Sequence, residues 1–139
     1  MSILRTIFLT LALCGNLVIA PAFAGDTDSL FVNLTTDEAF RTMMAMRFSK
    51  SLFERGHPLT IFLDDRGILL ASKAREAQYA DQQKLLSELL SKGTVVIACP
   101  QCLKQFDIPE GDLLPGIQVG SPSLTGGALF KDGTRTLSW

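Results

Sequence analysis

Apolar positions along this chain fall into short continuous runs separated by stretches with helical spacing, and each change of pattern marks a predicted element. Leu30-Phe31-Val32-Asn33-Leu34 is a mainly apolar run of strand length, which predicts a central strand. Thr35-Thr36-Asp37-Glu38 comes next, and Thr35 with Glu38 has the spacing of a capping box, in which each side chain bonds a backbone N–H of the other end. A helix is predicted to begin there and to run to Arg55, with Gly56 as its C-cap residue. Its apolar residues are Phe40, Met43, Met44, Phe48 and Leu52, at three- and four-residue spacings. Leu59 to Leu63 predicts a second strand, entered through His57-Pro58 and left through the acidic turn Asp64-Asp65-Arg66-Gly67. Ile68 to Ser72 fits a strand or a short buried helical turn, and the absence of a breaker before Lys73 to Glu76 favours the turn. Asp81 to Lys92 predicts a second helix with Leu85, Leu86, Leu89 and Leu90 on one side and Gly93 ending it.

The pattern centres on Thr94 to Leu103, TVVIACPQCL. Val95, Val96 and Ile97 are apolar without alternation, which predicts a strand buried on both faces, and it stops at Cys99-Pro100-Gln101-Cys102. Leu103 to Phe106 can continue as a helix, with Pro100 tolerated in its first turn because the missing N–H has no partner there. After a loop punctuated by Pro109, Gly111, Pro115 and Gly116, Ile117-Gln118-Val119 predicts a fourth strand. Ser121 to Phe130 can hold a helical turn, and Arg135 to Trp139 predicts a last strand. Strands alternating with helices in this order predict an α/β fold with a parallel sheet covered on both faces. No internal repeat or low-complexity segment interrupts it.

Residues 1–24 obey a different rule. One basic residue, Arg5, precedes the mostly apolar stretch Ile7 to Ala20, and Ala22-Phe23-Ala24 is the small-x-small pattern read by signal peptidase. Cleavage after Ala24 is predicted, in preference to an uncleaved anchor, because Gly15 and Asn16 interrupt a stretch short of the roughly 20 residues that span a bilayer. A lipoprotein reading at Cys14 is disfavoured by Leu13, which is not small. Residues 25–139 then form one domain, exported and periplasmic, with no membrane contact after cleavage. Without Arg5, 12 basic side chains face 14 acidic ones. No basic patch or tail appears, which excludes nucleic acid as a partner.

Export leaves only Cys99 and Cys102, in a compartment where disulfides form and persist. A bridge between them closes a very small loop and constrains the unfolded chain little, so stapling the fold is a poor explanation for the pair. A helix beginning beside Cys99 favours thiolate over thiol, and Lys104 stands close in sequence as a second source of positive charge. Functional groups in parallel sheets gather outside the carboxyl ends of the strands. That rule brings Thr35-Thr36, Asp64 to Arg66, Cys99 to Cys102 and Gly120 to Pro122 to one edge and sends His57, the only histidine, to the other. A Cys–His nucleophile pair is therefore not expected. No cofactor and no metal are expected: zinc normally takes four ligands, and no second Cys or His cluster exists. Met43, Met44 and Met46 read as core packing before they read as a copper site. Asp64 and Asp65 read as a solvated turn before they read as paired carboxylates. A thioredoxin-type arrangement is disfavoured because the motif comes after the third strand.

Met44 to Ala71, then VVIACPQCLKQFDI and DLLPGIQV, resemble the DsrE/DsrF-like (YchN-like) family in its small secreted branch. The resemblance spans nearly all of residues 25–139. It implies a three-layer α/β/α sandwich with a mainly parallel five-stranded sheet, and a homo-oligomer, trimer or hexamer. It also implies sulfur relay, with Cys99 matching the cysteine that accepts sulfane sulfur as a persulfide from a partner protein, and Cys102 matching a second cysteine present in some branches. The expected partners are sulfur-donor or thiol proteins. Three functions are compatible with these residues: a persulfide carrier or redox pair at Cys99 and Cys102; a non-catalytic oligomeric binding module with an inert disulfide; and Cu(I) capture by the two cysteines.

Overall fold

The computed structural model describes residues 25–139. The predicted signal peptide, residues 1–24, lies outside the described residues. Five strands form one sheet: β1 (Leu30–Leu34), β2 (Leu59–Leu63), β3 (Val95–Ala98), β4 (Gln118–Val119) and β5 (Arg135–Ser138). Their order is β4-β3-β2-β1-β5, and every neighbouring pair is parallel. The helices are α1 (Ala39–Phe53), α2 (Glu76–Ser91), α3 (Pro100–Gln105) and α4 (Pro122–Leu129). Asp65–Ala71 forms a 3-10 segment whose last five residues are all buried, so the apolar run after β2 is a buried turn as its sequence suggests.

The two faces of the sheet are covered unequally. Leu30, Val32 and Leu34 of β1, Leu59, Ile61 and Leu63 of β2, and Val96 and Ala98 of β3 point into the main core, where they meet Ala45 and Met46 of α1 and Leu85, Leu86 and Leu89 of α2. Strand side chains alternate between faces, so Phe31, Phe62 and Ile97 lie on the opposite side. That side is crossed by α4, which carries no fully buried residue. Among the described residues no helix is long and apolar enough to cross a membrane.

Three local expectations are corrected. Thr35 and Glu38 form no capping box. Glu38 is itself the N-cap of α1, its carboxylate accepting from the N–H groups of Phe40 at 3.0 Å and Arg41 at 2.8 Å, while Thr35 Oγ1 donates to the Trp139 carbonyl. Phe40, Met44 and Phe48 of α1 face outward, 72, 42 and 45 % exposed, while Met43 and Leu52 of the same apolar set pack against the core, whose fully buried α1 residues are Thr42, Ala45, Met46 and Ser49. The Thr42 and Ser49 hydroxyls bond carbonyls of their own helix, so burying them leaves no orphaned donor. Finally, α2 begins at Glu76 and not at Asp81, with a break in helical geometry at Tyr79.

Candidate functional site

Three loops after neighbouring strands meet at the carboxyl edge of the sheet. Backbone pairing runs to the end of β2 and β3, where the Cys99 N–H donates to the Leu63 carbonyl at 3.0 Å. Asp64 and Cys99 are therefore set side by side by the register that joins Leu63 to Ala98. Cys99 occupies the N-cap position of α3, and its sulfur accepts from the Cys102 N–H at 3.2 Å. One turn of helix brings Cys102 back over Cys99, and the two are joined as a disulfide with Cα atoms 5.2 Å apart. Both are buried, at 6 and 8 % exposure.

Asp64 completes the cluster. Its Oδ1 lies 3.1 Å from Cys102 Sγ and 2.9 Å from the Asp65 N–H. Two features hold the turn that carries it. Asp65 adopts φ +44°, in the left-handed region that Asp tolerates better than most residues. Gly67 presses so closely on β1 that a Cβ there would overlap the Leu34 carbonyl, and its N–H closes the turn on the Asp64 carbonyl at 2.8 Å. Arg66 then reaches outward to Asp37 at the foot of α1, donating from Nε and Nη2 at 2.7 Å each, and the Tyr79 hydroxyl donates to the same carboxylate at 2.7 Å. The Arg66 hydrogen bond is the main reason Asp37 is held down at about 2. Burial first, and the hydrogen bond to Asp37 second, push the Tyr79 hydroxyl up to about 12. Asp64, Asp65, Gln101, Cys102, Lys104 and Phe106 border an open depression, so the cluster reaches solvent on the Cys102 side.

The sequence matches the DsrE/DsrF-like family model over residues 29–136. This chain belongs to the DsrE/DsrF-like family. Two relatives are uncharacterized proteins, MK0008 of Methanopyrus kandleri and MJ0989 of Methanocaldococcus jannaschii. They are 27 % and 28 % identical over 82 residues, 58 % of this chain and 68 % and 72 % of theirs. Among solved structures, YchN of E. coli superposes with TM-score 0.68 at 15 % identity, covering 81 % of this chain and 99 % of that one. MTH1491 of Methanobacterium thermoautotrophicum gives 0.67 at 16 %, with the same coverage. BT1422 of Bacteroides thetaiotaomicron gives 0.63 at 23 %, covering 81 % and 95 %. These likenesses establish the fold of the DsrE/DsrF-like domain and leave its chemistry to the residues.

Within the DsrE/DsrF-like frame, Cys99 and Cys102 are brought together, and the strand-end rule places Asp64 beside them. His57 lies at the opposite edge, with Nδ1 2.8 Å from the Asp28 carbonyl, beside a cavity of about 400 Å³ also lined by Phe53, Thr60, Val95 and Lys131. The methionines form no cluster with the thiols: Met46 is buried in the core, Met43 packs against it and Met44 is exposed. Asp64, Cys99 and Cys102 offer one oxygen and two sulfurs within 4.8 Å of one another, one donor short of a zinc tetrahedron, and the sulfurs become thiolate ligands only after reduction. Asp64 is undervalued by sequence, where its turn reads as solvated. The strand-end rule already puts it next to Cys99, and nothing in the sequence points to its contact with Cys102. The Asp37, Arg66 and Tyr79 cluster has no sequence signal at all, since Arg66 and Tyr79 lie 29 and 42 residues from Asp37.

Proposed function

We propose that this chain is an exported, periplasmic sulfur carrier in which Cys99 accepts sulfane sulfur and Cys102 discharges it. The observation that supports the reading is the two sulfurs at bonding distance on the carboxyl edge of a parallel sheet, one of them capping a helix. Reduction by a dithiol partner protein opens the bridge: two electrons and two protons pass to Cys99 and Cys102, and the partner leaves as a disulfide. The Cys99 thiolate then attacks the outer sulfur of a donor persulfide, forming Cys99–S–SH and releasing the donor thiolate. The sulfur either passes to an acceptor thiolate or is displaced by the Cys102 thiolate, which attacks Cys99 Sγ, releases hydrosulfide and restores the bridge.

The partners in this scheme are sulfur-donor or thiol proteins. A homo-oligomer, trimer or hexamer, is part of the same reading, and the outward Phe40, Met44 and Phe48 stripe is a surface that such an assembly would cover. Intact mass of the reduced protein before and after a sulfane-sulfur donor, in a Cys102→Ser background that blocks discharge as hydrosulfide, tests the carrier step. A gain of one sulfur atom that disappears in Cys99→Ser is the expected result, and an equal gain in Cys99→Ser overturns the role of Cys99. The closed bridge also favours a second reading, a redox pair without sulfur transfer. That reading predicts reversible loss of two hydrogens in the parent and no sulfur gain in the Cys102→Ser background.

A further inference from the structure

We infer that Asp64 is the general base of the cycle: its carboxylate takes the proton from the Cys102 thiol as that sulfur attacks Cys99. The inference rests on the reading of Cys99 as the group that first takes up sulfur. Cys102 is the sulfur that must become a thiolate late, while buried and next to an already modified Cys99. Burial disfavours a thiolate, so a proton acceptor within reach lowers the barrier to its attack. Asp64 Oδ1 stands 3.1 Å from Cys102 Sγ, the separation at which a thiol donates to a carboxylate. No other carboxylate is placed among the donors that surround the two sulfurs in the described residues.

The carboxylate is held for this task from both sides. Upstream, the last backbone rung between β2 and β3 fixes Asp64 against Cys99. Downstream, Gly67 packs on the Leu34 carbonyl and Arg66 is clamped to Asp37. The Asp65 N–H satisfies one lone pair of Oδ1, and the open depression beside Cys102 gives the proton a way out to water after each cycle. The step balances without a further reagent. Cys102–SH and Asp64–COO⁻ become Cys102–S⁻ and Asp64–COOH; the thiolate attacks Cys99 Sγ, the sulfur–sulfur bond closes, and the group carried on Cys99 leaves as its anion.

An aromatic disulfide with a coloured leaving thiolate separates the two stages in the reduced full-length mature chain. Cys99 attacks it and releases one equivalent of colour; Cys102 resolves the mixed disulfide and releases the second. Asp64→Asn keeps an oxygen for the Asp65 N–H and removes the base. The expected result is an unchanged first phase and a second phase slowed roughly 100-fold near pH 6, within the range for loss of a general base. Asp132→Asn, with an exposed carboxylate removed from the turn before β5, leaves both phases as in the parent. Equal second phases in the parent and Asp64→Asn overturn the inference, as does an equal slowing in Asp132→Asn. A first phase that persists in Cys99→Ser overturns the underlying reading of Cys99 and is told apart by the phase it affects.

Discussion

α1 and α2 lie side by side on the same face of the sheet, yet they differ in what they leave outside it. α2 buries Leu85, Leu86 and Leu89 together with Tyr79, Gln82 and Gln83, and exposes no large apolar side chain. α1 buries Thr42, Ala45, Met46 and Ser49 and exposes Phe40, Met44 and Phe48. The two buried hydroxyls of α1 are satisfied by carbonyls one turn back. Apolar spacing thus identifies a helix without deciding which stripe meets the core.

Truncation puts the contrast between the two helices under the greatest load. Leu86→Ala removes a fully buried side chain from α2 and is expected to cost about 2–5 kcal/mol in urea unfolding. A cost below about 1 kcal/mol would mean that α2 is not the helix that anchors the core. Next in size is the tie between the helices at the carboxyl edge. Tyr79→Phe deletes the hydroxyl that α2 donates to Asp37 and is expected to cost about 1 kcal/mol.

The same tie is visible by pH. Asp37 is held at about 2, below its unfolded value near 4, so its stabilisation is present above pH 4 and is lost as pH falls from about 4 toward 2. Thermal melts across that window should show the loss in the parent and a flatter profile in Asp37→Asn. A smaller effect is expected from Glu88→Gln. Glu88 bridges Lys50 of α1 and Lys92 after α2, and those lysines hold its carboxyl down at about 2. The cluster is exposed, so the change in melting temperature should be slight at low salt and vanish at high salt.

Smallest of all for the fold itself is Phe48→Ser, expected to move stability by no more than about 0.5 kcal/mol. A loss matching that of Leu86→Ala would show that the α1 stripe is buried after all. In sedimentation, the same substitution combined with Phe40→Ser is expected to lower the assembly state if the stripe joins copies of the chain.

The strands are legible in the sequence because their signal is dense. Leu30 to Leu34, Leu59 to Leu63 and Val95 to Ala98 are apolar runs of strand length, and a parallel sheet buried on both faces needs such runs. The cysteines are legible for a related reason, since a thiol pair at the end of such a run has its place in the fold set by topology. α1 is recognisable as a helix, but its spacing does not separate Met43 and Leu52, which pack on the core, from Phe40, Met44 and Phe48, which face outward, and a hydroxyl that satisfies itself looks polar in sequence yet behaves as a filler in the core. The contact between Asp64 and Cys102 depends on how one helical turn folds back over a neighbouring loop. The clamp of Asp37 by Arg66 and Tyr79 depends on three segments meeting, which no local pattern encodes.

The last rung between β2 and β3, from the Cys99 N–H to the Leu63 carbonyl, is made by atoms that nearly every amino acid possesses. The spacing between the acid after β2 and the sulfur after β3 is thus independent of the side chains that build the strands. A lineage can exchange nearly every strand residue for another apolar one and keep that spacing. Distant proteins with the same centre are therefore better sought by an acid and a thiol at the ends of two adjacent strands than by any string of letters.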